Sequence, residues 1–128
     1  MKKIVFVSVL LMISLLNCAF ADNNTLNPAN KRLFDYKDYK NLTLENIKSL
    51  KITRYTEGGA RETIVDDMER TAQIYNFLSK IILENESNMS CTDNTTIYTF
   101  ILKDGTKASV ELECEWIVIK GKNYNFKY

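Results

Sequence analysis

The sequence predicts a two-layer α+β fold in which one amphipathic helix packs on a mostly antiparallel sheet, in the order ββαβββ, with one disulfide. Three observations predict this fold class. Apolar and polar residues alternate in short runs on both sides of a central segment, as they do in half-buried strands. Within that segment, apolar residues recur every three or four positions, as on one face of a helix. Two of the three cysteines lie beyond the N-terminal region, which is enough for one disulfide.

The first 21 residues have the pattern of a secretory signal peptide. Lys2 and Lys3 precede an apolar run, and residues 19–21 read Ala-Phe-Ala, a small-x-small cleavage signature. The apolar run is shorter than the roughly 20 residues that a membrane-spanning helix needs. We therefore expect cleavage after Ala21 and export to the periplasm or the medium. A second route stays open, because Cys18 lies in a stretch that resembles a lipoprotein box, and lipidation there would anchor the protein in the envelope.

The remaining chain has the length and charge of one small domain. Residues 22–45 should form a flexible lead-in followed by a segment that packs on the domain, and residues 46–128 should form a single α+β domain. The chain carries 17 basic and 16 acidic residues, so no basic excess indicates nucleic acid or an anionic membrane surface. We expect a protein partner, no nucleic acid, no cofactor, and membrane contact only if Cys18 is lipidated.

The first half should contain a hairpin and then the helix. Strands from Ile47 to Tyr55 and from Arg61 to Val65 flank a turn at Gly58-Gly59. The helix should begin at Asp66 or Asp67, where Glu69 supplies part of a capping box, and run to about residue 84. Its apolar stripe is Met68, Ala72, Tyr75, Leu78 and Ile82, widened by Ile74, Phe77 and Ile81. Residues 85–95 are polar and should form a loop.

The second half should consist of strands from Thr96 to the end of the chain. A three-residue loop at residues 103–105, with Gly105 in a left-handed conformation, would pair Phe100 with Ala108 and Tyr98 with Val110. This register places the large apolar side chains on one face, together with Leu112 and Cys114. A shift by one residue would expose them, at a cost of about 1.5–3 kcal/mol for each large side chain.

Glu111 and Glu113 are the candidate catalytic pair. They lie two residues apart on one predicted strand and therefore about 7 Å from each other, a spacing compatible with glycoside hydrolysis or a weak site for a hard cation. The register turns both carboxylates towards solvent. The chain has no histidine, which excludes Ser-His-Asp and Cys-His nucleophiles and removes the usual nitrogen ligand of zinc. We expect no catalytic, cofactor-binding or metal-binding residues, with a small carboxylate-dependent hydrolase that uses Glu111 and Glu113 as the alternative.

A possible partner surface follows from the strand after Glu115, which is apolar on both faces. The candidate patch, on the side away from the helix, is Ile97, Ile101, Ile117 and Ile119. Two explanations stay open: the segment from Leu33 to Leu44 covers this patch, which we favour, or another protein does.

Cys91 and Cys114 are the predicted disulfide. An exported protein meets an oxidising compartment, in which an even pair of cysteines is usually joined. The alternative is a buried free thiol at Cys114.

A series of short motifs runs from Leu44 to Tyr128. They are residues 47–52 (IKSLKI), 58–59 (GG), 64–66 (IVD), 98–100 (YTF), 103–106 (KDGT) and 117–124 (IVIKGKNY). With these motifs the chain resembles a loose class of small exported or lipid-anchored bacterial domains of unknown function. The resemblance implies a strand-strand-helix-strands fold and brings no catalytic residues. We therefore expect an exported, non-catalytic binding or structural module of the bacterial envelope, with masking or inhibition of a protein partner as one mode of action.

Overall fold

A computed structural model describes residues 30–89 and 94–128 of the chain. Three 3-10 helices span Leu33–Asp35, Lys37–Tyr39 and Leu44–Asn46. The helix α1 spans Met68–Ser79. The strands are β1 (Ile47–Thr56), β2 (Gly59–Val65), β3 (Ile82–Ser87), β4 (Thr95–Leu102), β5 (Lys107–Glu113), β6 (Trp116–Ile119) and β7 (Lys122–Lys127). The predicted class, α+β with one helix on an antiparallel sheet, is confirmed for these residues.

The seven strands form one sheet in the order β2-β1-β4-β5-β6-β7-β3, and every neighbouring pair is antiparallel. The predicted order ββαβββ is wrong, because the described residues follow the order ββαβββββ. One of the additional strands, β3, lies in a stretch that we had expected to be the end of the helix and a loop.

The helix ends earlier than the prediction of residue 84. Lys80 caps α1 after Ser79, and the chain then enters an extended conformation in which Ile81 and Leu83 are fully buried. Ile82 pairs with Lys127 of β7. Because β-branched residues pack well in strands, pairing with a distant part of the chain overrides the helical spacing of these residues.

The buried face of α1 also differs from the predicted stripe. Thr71 and Leu78 are fully buried, whereas Met68 and Phe77 are 45% and 46% exposed. The Thr71 hydroxyl donates a hydrogen bond to the backbone oxygen of Asp67 (3.0 Å), so its burial leaves no unpaired hydroxyl. Asp67 is the N-cap residue, since its side chain accepts a hydrogen bond from the backbone N–H of Glu69 (2.9 Å). Of the two predicted starts, the structure therefore selects Asp67.

The segment before β1 begins beside β3, where Arg32 bridges Ile82, and residues 33–46 then pack on the same side of the sheet as α1. Leu33 and Tyr39 belong to the buried core, and the Tyr39 hydroxyl donates to the backbone oxygen of Ser109 (2.9 Å). The Tyr75 hydroxyl of α1 donates to the backbone oxygen of Leu42 (3.3 Å). The expectation that residues 33–44 cover the opposite face is therefore wrong.

The register of the β4–β5 hairpin is confirmed. Phe100 pairs with Ala108 and Tyr98 pairs with Val110, and Gly105 has a φ of 89° in the connecting loop. Phe100 and Val110 are fully buried in the core. The loop thereby fixes which side chains of β5 point away from α1.

Candidate functional site: the outward face of the sheet

We call the sheet surface that points away from α1 the outward face. Its central row consists of Thr53 on β1, Ile97 on β4, Glu111 on β5 and Val118 on β6, each directly opposite the next. Strand alternation adds further apolar side chains to this face: Tyr55, Ile64, Ile101 and Trp116. Both α1 and residues 33–46 pack on the other side, and residues 30–32 run beside β3, so neither α1 nor residues 30–46 cover the outward face.

The two glutamates of the predicted pair occupy different surroundings on this face. Glu111 lies between Ile97 and Val118, whereas Glu113 is opposite Thr95 and Trp116. Burial, followed by the negative charge of Glu113, raises the pKa of Glu111 above its ordinary value. The prediction that both glutamates point away from the helix side is confirmed by the strand register.

A raised pKa alone does not make Glu111 a catalytic group. It lets the carboxyl group hold a proton at higher pH, which is one property of a general acid. A glycosidase also has to hold its substrate between the two carboxyl groups. Here Glu111 is flanked across the sheet by two half-buried side chains, Ile97 and Val118. Within residues 30–89 and 94–128, no cluster of three or more acidic or cysteine side chains is arranged to hold a metal ion.

The structure places only two of the four residues of the predicted partner patch on the outward face. Ile97 and Ile101 are on the outward face, but Ile117 is fully buried and Ile119 is 8% exposed in the core. The reason is a two-residue turn at Cys114-Glu115, which pairs Glu113 with Trp116. In a continuous strand, Ile117 and Ile119 would lie on the outward face. The turn reverses this alternation, so Trp116 and Val118 lie there instead.

Sequence reasoning missed this turn because it lacks the usual glycine, asparagine or proline. Cys114 adopts a left-handed conformation there, with a φ of 54°, and its side chain is exposed rather than on the apolar face as predicted. The Trp116 indole N–H donates to the side-chain oxygen of Asn125 on β7 (3.1 Å), which holds the ring at the edge of the outward face.

Several predicted residues lie outside the described ranges. These are the signal peptide at residues 1–21, Cys18 and Cys91. Cys114 is disulfide-bonded, but because Cys91 is not among the described residues, the pairing of the two stays a prediction.

The periphery of the outward face is mixed in character. Ile64 and Tyr55 are 53% and 46% exposed, and Lys51 forms an ion pair with Glu62 across β1 and β2 (3.8 Å). The Ser109 hydroxyl donates to the hydroxyl oxygen of Thr99 (3.3 Å). The outward face therefore has apolar side chains at its centre and at its periphery, interspersed with polar and charged groups.

For the ranges that the structure describes, no helix combines the length and the apolar character needed to cross a bilayer. Comparison of the chain with protein-family models, with curated proteins and with solved structures found no match.

Proposed function

We propose that this protein is an exported, non-catalytic binding module of the bacterial cell envelope, which masks or inhibits a protein partner through the outward face. The observation that carries the proposal is the row Ile97–Glu111–Val118. It sets an acidic side chain between two apolar ones, on a face that neither α1 nor residues 30–46 cover.

This row also indicates the chemistry of the partner surface. Apolar side chains of the partner would pack against Ile97 and Val118, and a lysine or arginine of the partner would lie opposite Glu111. A cation at this position stabilises the ionised form of a carboxylate that burial and Glu113 otherwise disfavour. Such charge matching contributes to partner selection more than to affinity.

Export is part of the proposal and is supported by the N-terminal sequence pattern. The mature protein would begin after Ala21 in the periplasm or the medium, or at a lipidated Cys18 in the envelope. We also propose that Cys91 pairs with Cys114, because an oxidising compartment favours a disulfide between an even pair of cysteines.

The experiment is a capture assay in which the mature protein is immobilised and incubated with an envelope fraction of its own organism. We expect one protein to be retained, and the double variant Ile97→Thr/Val118→Thr to weaken its retention about tenfold, since central interface side chains dominate binding energy. Threonine keeps the β-branched shape and therefore the strand. Glu111→Gln should weaken retention as well.

The matched control is Met68→Thr, which changes an apolar side chain that is 45% exposed and lies on α1, on the other side of the sheet. Retention that is unaffected by the Ile97/Val118 double variant, or equally reduced by Met68→Thr, would contradict the proposal. A hydrolytic activity towards oligosaccharides that is lost in the folded Glu111→Gln/Glu113→Gln variant would instead establish the hydrolase.

A further inference from the structure

A second surface feature lies at one end of the sheet, between β3, β7 and the β5–β6 turn. It is an open groove of about 640 Å³, which we call the bulge groove. It is lined by Glu84, Asn85, Cys114, Glu115, Asn125, Phe126 and Tyr128. The outward-face row Ile97–Glu111–Val118 does not contribute to it.

A β-bulge forms one wall of the groove. Leu83 pairs with Phe126 and Glu86 pairs with Tyr124, so two residues of β3, Glu84 and Asn85, are opposite the single residue Asn125 of β7. A bulge interrupts the alternation of side chains between the two faces of a strand. Consecutive residues, one acidic and one amide, can therefore both line the groove.

The turn between β5 and β6 forms the facing wall. Glu115 follows Cys114, whose backbone is left-handed with a φ of 54°. The backbone N–H of Cys114 donates to the backbone oxygen of Asn94 (2.8 Å), which ties this turn to the start of β4. The carboxylate of Glu115 is thus carried by a fixed turn and not by a free loop.

Aromatic rings form the rim. The rings of Phe126 and Tyr128 are 5.5 Å apart and nearly perpendicular, and the ring of Tyr128 is 4.7 Å from that of Phe77 on α1. Tyr128 is 66% exposed and Phe77 is 46% exposed. The exposed part of the Tyr128 ring is therefore accessible to a ligand in the groove.

The residues of the groove favour a cation. Two carboxylates, from Glu84 and Glu115, accompany the amides of Asn85 and Asn125, and none of the described residues that line the groove is basic. Aromatic faces attract lysine and arginine through cation–π contacts, and amide oxygens accept hydrogen bonds from their N–H groups. Because the groove is open along its length, it suits one side chain of an extended polypeptide better than an enclosed small molecule.

We propose that the bulge groove binds a lysine or arginine side chain of an extended basic peptide segment. This site adjoins the outward face where Asn125 accepts a hydrogen bond from Trp116. It shares no residue with the row Ile97–Glu111–Val118 and does not depend on the proposed function.

The test is an NMR titration of the ¹⁵N-labelled mature protein with a pentalysine peptide blocked at both ends. We expect saturable shift changes that centre on the backbone amides of Glu84, Glu115 and Asn125. The double variant Glu84→Gln/Glu115→Gln should weaken binding about tenfold, since each exposed carboxylate contributes roughly threefold. Tyr128→Leu, which removes the ring face, should weaken it about threefold.

The matched control is Glu45→Gln/Glu57→Gln, which removes two exposed carboxylates that lie outside the bulge groove, and which should leave binding unchanged. The spectra themselves report whether each variant is folded. Equal weakening by this control, or equal binding of blocked pentaglutamine, would overturn the proposal. Binding of the neutral sugar cellohexaose without binding of pentalysine would also overturn it. None of these outcomes bears on partner capture by the outward face.

Discussion

Glu111 is the residue whose surroundings are most unusual for its type. Its neighbours across the sheet are Ile97 and Val118, and Glu113 follows two residues later on the same strand. Burial and this second carboxylate both disfavour its ionised form. We therefore infer that the charge of Glu111 lowers, rather than raises, the stability of the folded state at neutral pH.

This inference gives a pH-dependent prediction. The folded-state pKa of Glu111 lies above its ordinary value of 4.5, so the folded state binds the proton more tightly than the unfolded state does. The free energy of unfolding therefore falls as the pH rises from 4.5 through the folded-state pKa. Glu111→Gln should therefore raise the melting temperature at pH 7, and the gain should disappear as the pH falls below 4.5. Thermal unfolding at a series of pH values measures this.

The control for the pH series is Glu57→Gln, an exposed carboxylate in the β1–β2 turn. It should leave the melting temperature nearly unchanged throughout. A gain for Glu111→Gln that is the same at acidic and neutral pH would show that the side chain affects stability through packing and not through its charge.

At the scale of elements, the hairpins were predictable and β3 was not. Alternating residues around Gly58-Gly59 and Gly105 define the β1–β2 and β4–β5 hairpins locally, because each pairing depends on residues that are close in the chain. Ile81 and Ile82, in contrast, continue the helical spacing of α1. Pairing with β7, about 45 residues later, and a bridge to Arg32, about 50 residues earlier, make this stretch a strand.

The candidate site, like the fold, was predictable where it depends on residues that are close in the chain. The orientation of Glu111 follows from the β4–β5 register, which local sequence determines. Val118 lies on the outward face in place of the predicted Ile117 because of the turn at Cys114-Glu115, whose residues are poor turn formers. Tertiary contacts impose that turn, so alternation alone could not reveal it.

The β6–β7 turn gives a prediction for a single element. Lys120 and Gly121 both have positive φ values, 51° and 77°, and connect the paired residues Ile119 and Lys122, as in a type I′ turn. Such turns prefer Asn-Gly, and a left-handed conformation is costly for most other side chains. Lys120→Asn should therefore stabilise the protein by about 0.5 kcal/mol.

Urea unfolding measures the free energy of unfolding for this variant. The matched comparison is Gly121→Ala in the same turn, where no atom lies within 4 Å of an added Cβ. Its expected loss of about 1 kcal/mol would come from the backbone conformation alone. A destabilising effect of Lys120→Asn would be inconsistent with the type I′ assignment.

At the scale of the whole molecule, the proposed disulfide should tie the β5–β6 turn to the stretch that precedes β4. Replacing Cys91 and Cys114 together with serine should lower the free energy of unfolding by about 3 kcal/mol. Urea unfolding of the exported protein, with and without a reductant, measures this. Reductant should affect only the parent protein, and a parent protein that is insensitive to reductant would contradict the pairing.

The order of the strands in space differs from their order in the chain. β1, β2, α1 and β3 come first, yet β4 to β7 lie between β1 and β3 in the sheet. β3 bridges Arg32, but its pairing with β7 needs residues 122–127, at the other end of the sheet's sequence. Sheets with such distant pairings fold on the order of milliseconds to seconds. Closure of the sheet between β3 and β7 should therefore be a late step of folding.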